Sequence, residues 1–390
     1  MIKRILKEVK EYKLASFLAP LFMVGEVLLE IALPFLMSFS IDKGVAKGDM
    51  KLFYGGIMVI AAFGSLFCGA MSGKYAAYAS AGFAKNLRKA LFHHIQEFSF
   101  HNIDKYSTAG LVTRMTTDVT NVQNAYQMVL RMCVRAPLSL ICAMTMTFVI
   151  NHELSMTFLY AILFLGVVLI VIMRFAHPIF LYVFDKYDDL NASVQENITN
   201  MRVVKAYVKE EHEIEKFKSA SYHIYRLFKK AENILIFNTP AMQLSMYASI
   251  IFISWMGAKM IVGGTLTTGE LMSMITYTTT ILMSLMMLSM IFVMLSMSLA
   301  SVRRIDEVLD ETSDIVSPPH AVKEVKNGEI VFDHVDFAYN NDQAEPNLQD
   351  IHFTIKSGET IGILGGTGSG KSSFVNLIPR LYDVSAGTLS

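Results

Sequence analysis

Six stretches of this chain are long and apolar enough to cross a bilayer, and no other feature constrains the fold as much. They fall at residues 14–41, 53–77, 125–150, 154–180, 239–262 and 269–300. A spanning helix needs about 20 apolar residues. Inside hydrocarbon each backbone polar group must be bonded within the protein, so segments of this length cross as helices. Composition agrees: 53% of the 390 residues are hydrophobic and only 17% charged, against about a quarter in soluble domains. A formal net charge of +0 leaves no whole-chain field to gather nucleic acid, and none is expected as a partner.

The connections alternate between short and long. The first two stretches are joined by DKGVAKGDMK, the next two by Asn151-His152-Glu153 and the last two by GGTLTT. Residues 78–124 and 181–238 form two long loops, rich in Arg88, Lys89, Arg202, Lys205, Lys229 and Lys230. Two of the short loops have no Lys or Arg; the first has Lys43, Lys47 and Lys51 against Asp42 and Asp49. By the positive-inside rule, both termini and the long loops face the cytoplasm. The basic start MIKRILKEVKEYK suggests a signal peptide, but the apolar run behind it exceeds the usual 7–15 residues or so and lacks a small-residue cleavage site. A retained first helix is expected. Cys68, Cys133 and Cys142 form no CxxC pair and sit in apolar runs, which predicts buried small hydrophobes.

The long loops keep apolar residues at helical spacing, as in Leu91, Ile95 and Phe98, or Ile198, Met201 and Val204. The membrane helices are therefore expected to continue into the cytoplasm. After Ala300, SVRRIDEVLDE reads as the last helix leaving the membrane, and Ser317-Pro318-Pro319 as a linker. From Glu329 the pattern turns strand-like: EIVFDHVDFAY, then IHFTI, then a buried strand at residues 360–364. The expected fold is an all-α transmembrane domain of six helices with long cytoplasmic extensions over residues 1–312. A linker over 313–328 and the N-terminal part of an α/β P-loop ATPase domain over 329–390 follow.

Gly365-Gly366-Thr367-Gly368-Ser369-Gly370-Lys371-Ser372 fits G-x-x-x-x-G-K-[ST]. Glycines let successive N–H groups turn inward around phosphate oxygens. Lys371 brings a full charge to the β- and γ-phosphates, and Ser372 offers a hydroxyl to Mg²⁺. By average residue frequencies the match arises by chance in about one or two in a hundred chains of this length. A strand expected before it, and a helix with Phe374, Leu377 and Ile378 after it, supply the strand–loop–helix setting.

Taken together, these motifs resemble an ABC exporter half-transporter (the type IV exporter fold) over essentially the whole chain. The resemblance implies ATP and Mg²⁺ as cofactors. Lys371 would be the catalytic lysine, and ATP would be held by Gly365, Gly366, Thr367, Gly368, Ser369, Gly370, Lys371, Ser372 and Ser373, with Ser372 on the metal. In Val335-Asp336-Phe337-Ala338-Tyr339, it implies that Tyr339 stacks on adenine. Gly110-Leu111-Val112-Thr113-Arg114 with Asp118 is similar to the family's first intracellular loop; Glu196, Arg202 and Lys205 belong to a segment similar to the second. Each such loop would carry a short coupling helix seated on a nucleotide-binding domain, the second on the partner chain's.

Leu18-Ala19-Pro20-Leu21-Phe22-Met23 with Glu26, Leu130-Arg131 with Val134-Arg135-Ala136-Pro137, and Asn376-Leu377-Ile378-Pro379-Arg380-Leu381 are similar to bacterial heterodimeric multidrug exporters. A second half-transporter is the implied partner, a heterodimer favoured over a homodimer, in a bacterial plasma membrane with the nucleotide-binding part cytoplasmic. Alternating access would move small amphipathic compounds, multidrug or lipid-like, across the bilayer. The family's Q-loop, signature, Walker B, catalytic glutamate and switch histidine would lie past Ser390, so these residues alone are not expected to complete hydrolysis. A channel-like or regulatory subunit, or a non-hydrolysing fragment, is the alternative.

Glu26 and Glu30 lie four apart on one helical face, as do Arg131 and Arg135. Charges inside a membrane are costly unless paired or wetted. The glutamates either line a wet cavity for cationic amphiphiles or pair structurally; pairing or snorkelling suits the arginines better. Met283, Met287, Met290, Met294 and Met297 share a face of the sixth stretch. Flexible thioethers suit either a repacking substrate surface or a lipid-facing, helix-packing one.

Overall fold

A computed structural model describes residues 1–45, 51–317, 324, 327–339 and 346–390. Lys47 and Asp49 of the first short loop, and Pro318 and Pro319 of the expected linker, lie outside these residues. A short α1 (Ile2–Leu6) and a 3₁₀ segment (Lys7–Tyr12) lead into α2 (Lys13–Phe39), which ends in a π-type segment, Ser40–Val45. Then come α3 (Lys51–Gln96), α4 (Phe100–Tyr106), α5 (Thr108–Thr113) and α6 (Val119–Ile150). The second half of the membrane region holds α7 (His152–Thr199), α8 (Met201–Ala206), α9 (Glu210–Leu235), α10 (Asn238–Val262) and α11 (Thr268–Asp310). The chain closes with β1 (Ile330–Phe337), β2 (Leu348–Ile355), α12 (Lys371–Leu377) and β3 (Ala386–Leu389).

Six helical spans among the described residues are long and apolar enough to cross a membrane, matching the expected stretches. The helices also continue beyond membrane thickness. At 1.5 Å per residue, the 46 residues of α3 extend about 69 Å, more than twice a hydrocarbon core of about 30 Å. The chain divides into two compact units, each described by itself below.

One unit comprises Ala15–Ala76 and Met128–Met294. Its core gathers Met23, Val27 and Ile31 of α2 with Leu154 and Phe158 of α7 and Tyr277 and Ile281 of α11. Pro34 supplies no N–H to the α2 ladder. Two hydroxyls from α11 dock on carbonyls beside it: Tyr277 Oη donates to Ile31 O at 2.7 Å and Ser273 Oγ to Pro34 O at 2.5 Å. At the start of α11, Asp42 accepts from Gly269 N (2.9 Å) and Thr267 Oγ1 (2.6 Å), capping that helix from another element. Cys68, Cys133 and Cys142 are free thiols here, half-buried rather than fully buried as the sequence suggests. Ile198 and Met201 also depart from expectation. They are exposed and line an open groove with Ile214 and Phe217 of α9.

The other unit comprises Met1–Leu14, Ala77–Gln127 and Leu295–Ser390. Its helical core packs Tyr12, Phe83, Leu87, Leu91, Val119 and Ile305, with Ile95 and Phe98 against it, as their spacing predicts. The Tyr12 ring lies so close to Gly82 that a Cβ there would come within 2.2 Å of it. The sheet has three antiparallel strands in the order β2-β1-β3. Phe332, Val335 and Phe337 of β1 pack on Phe374 and Leu377 of α12; Ile378 lies past that helix and is exposed.

The expected strand at residues 360–364 is not formed. The segment is irregular and exposed, with Leu364 at 96%. A central strand in a parallel sheet needs hydrogen-bonding neighbours on both sides and cover on both faces. Among the described residues no strand pairs with this one.

Candidate functional site

The phosphate-loop motif folds as a glycine turn ahead of α12. Gly368 and Gly370 take φ of 86° and 82°, values that other residues reach only with strain. Gly370 is required for space as well: a Cβ there would sit 2.7 Å from Leu348 Cδ2. The loop closes on its own lysine, since Lys371 Nζ donates to Gly365 O (3.0 Å) and Gly366 O (2.6 Å). The ammonium group is thus held inside the turn. Ser372 is exposed beside it, a hydroxyl free to face a hard cation. A lysine charge, glycine N–H groups and serine hydroxyls form a donor set that fits a phosphate with Mg²⁺.

Tyr339 arrives from the end of β1. Its Oη donates to Ser373 Oγ at 3.0 Å, which ties the strand end to the first turn of α12. Its half-buried ring meets Phe337 and Tyr382 edge-on, with centroids 4.8 and 5.1 Å away. The fold therefore brings Tyr339 and the phosphate loop together.

Tyr382 makes a contact that sequence reasoning missed. Its Oη donates to Asp104 Oδ2 at 2.8 Å, and its ring lies 6.0 Å from that of Phe100. Burial and this bond push the Tyr382 hydroxyl up to about 12. Both partners belong to α4, which begins with a reciprocal capping box between Ser99 and Asn102. The S-x-x-N spacing was the available signal.

The named residues of the first long loop are held by contacts within the same unit. Gly110 lies in α5, its N–H bonded to Ser107 Oγ at 3.2 Å. Arg114 pairs with Glu307 (3.3 Å) and lies over the Tyr106 ring at 4.6 Å. Asp118 is buried and accepts from Arg304, including Nε at 2.8 Å. Burial opposes its ionisation, but hydrogen bonds from Arg304 and Ser301 and the guanidinium charge outweigh that and hold it below the usual carboxylate range. Glu311, just past α11, gathers Lys105 Nζ (2.7 Å), Tyr106 Oη (2.7 Å) and Asn102 Nδ2 (3.1 Å). These bonds, Lys105 foremost, lower its pKa, and α4 is pinned to the end of α11.

In the second long loop Glu196 and Arg202 are exposed, and Lys205 pairs with Glu210 at 2.9 Å. The apolar Val203, Tyr207 and Val208 around α8 face outward, Val208 at 80% exposure.

Within the membrane-region unit, Arg135 reaches both glutamates: Nη1 pairs with Glu26 and Nη2 with Glu30 at 2.7 Å. The face that holds Glu26 and Glu30 is thus internally paired, leaving one formal negative charge in the triad. Glu30 and Arg135 border a cavity of about 210 Å³ with Thr279, Thr280, Met283 and Met287. Met290 and Met294 are exposed and lie outside it; the Met297 side chain is outside the described residues.

Residues 16–301 match the family described as ABC transporter transmembrane region, and residues 348–390 the family described as ABC transporter. Among curated proteins, the chain is similar to the uncharacterized ABC transporter ATP-binding protein YfiB of Bacillus subtilis. The two are 32% identical over 390 residues, which is 100% of this chain and 68% of the relative. It is also similar to the ATP-dependent lipid A-core flippase of Hahella chejuensis, 28% identical over 86% of this chain and 56% of that protein. A third relative is the probable multidrug resistance ABC transporter ATP-binding/permease protein YheI of Bacillus subtilis. It is 27% identical over 98% of this chain and 66% of that protein.

Proposed function

The chain belongs to the ABC transporter family, as an exporter half-transporter of the type IV fold, and from that premise we propose that it moves amphipathic compounds out of a bacterial cytoplasm or inner leaflet. In this reading residues 1–312 form the membrane domain, 313–328 the linker and 329–390 the first part of the nucleotide-binding domain. Lys371 and the loop from Gly365 to Ser373 hold the phosphates of ATP, Ser372 faces Mg²⁺, and Tyr339 stacks on adenine. Its hydroxyl bond to Ser373 keeps the ring beside the loop.

One observation carries the reading: Tyr382, one turn past the phosphate-loop helix, is bonded to Asp104 of α4. Nucleotide occupancy can therefore reach the helices through one short path. The exposed apolar residues around α8 support a second docking surface, for the partner half-transporter's nucleotide-binding domain. A heterodimer, alternating access and a plasma-membrane location complete the proposal. The basic long loops support the cytoplasmic side for the nucleotide end.

The triad of Glu26, Glu30 and Arg135 beside Met283 and Met287 supports a cation-preferring amphiphile as substrate. Residual negative charge attracts the headgroup while thioethers repack around the apolar body. Inverted vesicles containing the complete protein should take up a cationic dye when ATP is added. Glu26→Gln with Glu30→Gln should slow that uptake several-fold, leaving ATP binding intact. An unchanged rate rejects the cavity assignment; no ATP-dependent uptake of any amphiphile rejects export.

A further inference from the structure

The strand β1 breaks its own alternation. Phe332 and Val335 are both buried, and between them Asp333 and His334 are both exposed. Strict pleating would turn one of them inward. A register shift between Phe332 and Val335 absorbs the extra residue, and His334 takes φ of 48° at that bulge. Two consecutive side chains therefore share the solvent face. His352 of β2 lies across from them, its ring stacked on that of His334 with centroids 4.7 Å apart.

From this geometry we infer that Asp333, His334 and His352 form a binding site for a divalent transition metal ion, Zn²⁺ foremost. One carboxylate oxygen and two ring nitrogens lie within 4.8 Å of one another. In a tetrahedral zinc site with bonds of about 2.0–2.1 Å, donors sit about 3.4 Å apart. Exposed side chains on two paired strands reach that spacing by small rotations. The imidazole pair selects zinc, copper or nickel over Mg²⁺, which prefers an all-oxygen shell. The outer layer is also present: Asp350 Oδ1 lies 2.6 Å from His334 Nδ1, a carboxylate–histidine pairing that fixes ring orientation. An ordinary pair of cross-strand ion pairs would explain each contact singly, but not why the strand spends a bulge to bring a third ligand onto the same face.

The test uses the tag-free chain in detergent, stripped by a chelator and titrated with Zn²⁺ in a calorimeter and with Co²⁺ by visible absorption. The expected result is one high-affinity site per chain, with tetrahedral Co²⁺ bands, and a thermal transition raised by Zn²⁺. His334→Ala and His352→Ala should each weaken binding by about tenfold or more, while His212→Ala on α9 leaves it unchanged. His352→Asn retains a hydrogen-bonding side chain opposite Asp333 but lacks the imidazole ligand. It should fold and still lose zinc, which separates ligation from simple strand pairing. Zinc affinity within about twofold of the parent in the His352→Asn chain, or in the double alanine variant, would overturn the assignment.

Discussion

Asp118 lies with its side chain 1% exposed, fixed by Arg304 of the last long helix. Because its folded pKa is depressed, it contributes stability in full above the ordinary carboxylate range, and that contribution vanishes as pH falls through the folded value. Asp118→Asn should cost about 1.5–3 kcal/mol at pH 7. The gap in melting temperature between parent and variant should close as pH drops below about 4; a gap constant with pH would contradict the ion pair. At the nucleotide end, Lys371→Ala should reduce binding of a fluorescent ATP analogue by at least about tenfold, because the loop then presents no full positive charge to the phosphates. Equal binding by parent and variant would remove Lys371 from the site. The sequence made the lysine visible because phosphate chemistry demands its type at that spacing. It made Asp118 visible only through resemblance, and hid its partner: Arg304 is remote in sequence, and nothing local marks the pairing.

Among elements, the start of α11 is held partly by another segment. Asp42 adds a bond from Gly269 N to the local cap, in which Thr267 Oγ1 accepts from Glu270 N and Glu270 Oε2 from Thr267 N. Asp42→Ala should lower stability by about 1 kcal/mol. Gly269→Ala should do more harm: its Cβ would fall 2.4 Å from the Ser38 carbonyl oxygen, a backbone atom that cannot rotate away. A cost of about 1–3 kcal/mol is expected for such overpacking, read as a lowered thermal transition in detergent. Wild-type melting of the alanine variant would show that α2 and α11 do not meet there. The helices themselves were legible, since long apolar runs leave one solution in lipid. Residues 360–364 were not: an apolar five-residue run reads as a strand, but strand formation depends on partners elsewhere. The short α4 was also hard to read, because its seven residues are too few to show a helical period and only the capping box at Ser99 marks it.

At the scale of the whole molecule, the charge pattern of the loops makes a topological prediction. With Cys68, Cys133 and Cys142 replaced, a cysteine at Asn151 or Thr265 should react with an impermeant maleimide added outside intact cells. One at Lys209 should react only after permeabilisation. Labelling at Lys209 from outside would invert the assigned orientation. Six spans, two loops and the phosphate-loop motif together were enough to give the family, yet the positions at which one element grips another came only from the folded chain. The bond between Tyr382 and Asp104 is one of these grips, and it makes the path between nucleotide and helix a two-way constraint. If filling the phosphate loop changes the free energy of one placement of α4, then holding α4 in that placement must change nucleotide affinity by the same factor. A small binder that immobilises Phe100 and Asp104 would thus register as a shift in the ATP dissociation constant, without ever approaching the phosphates.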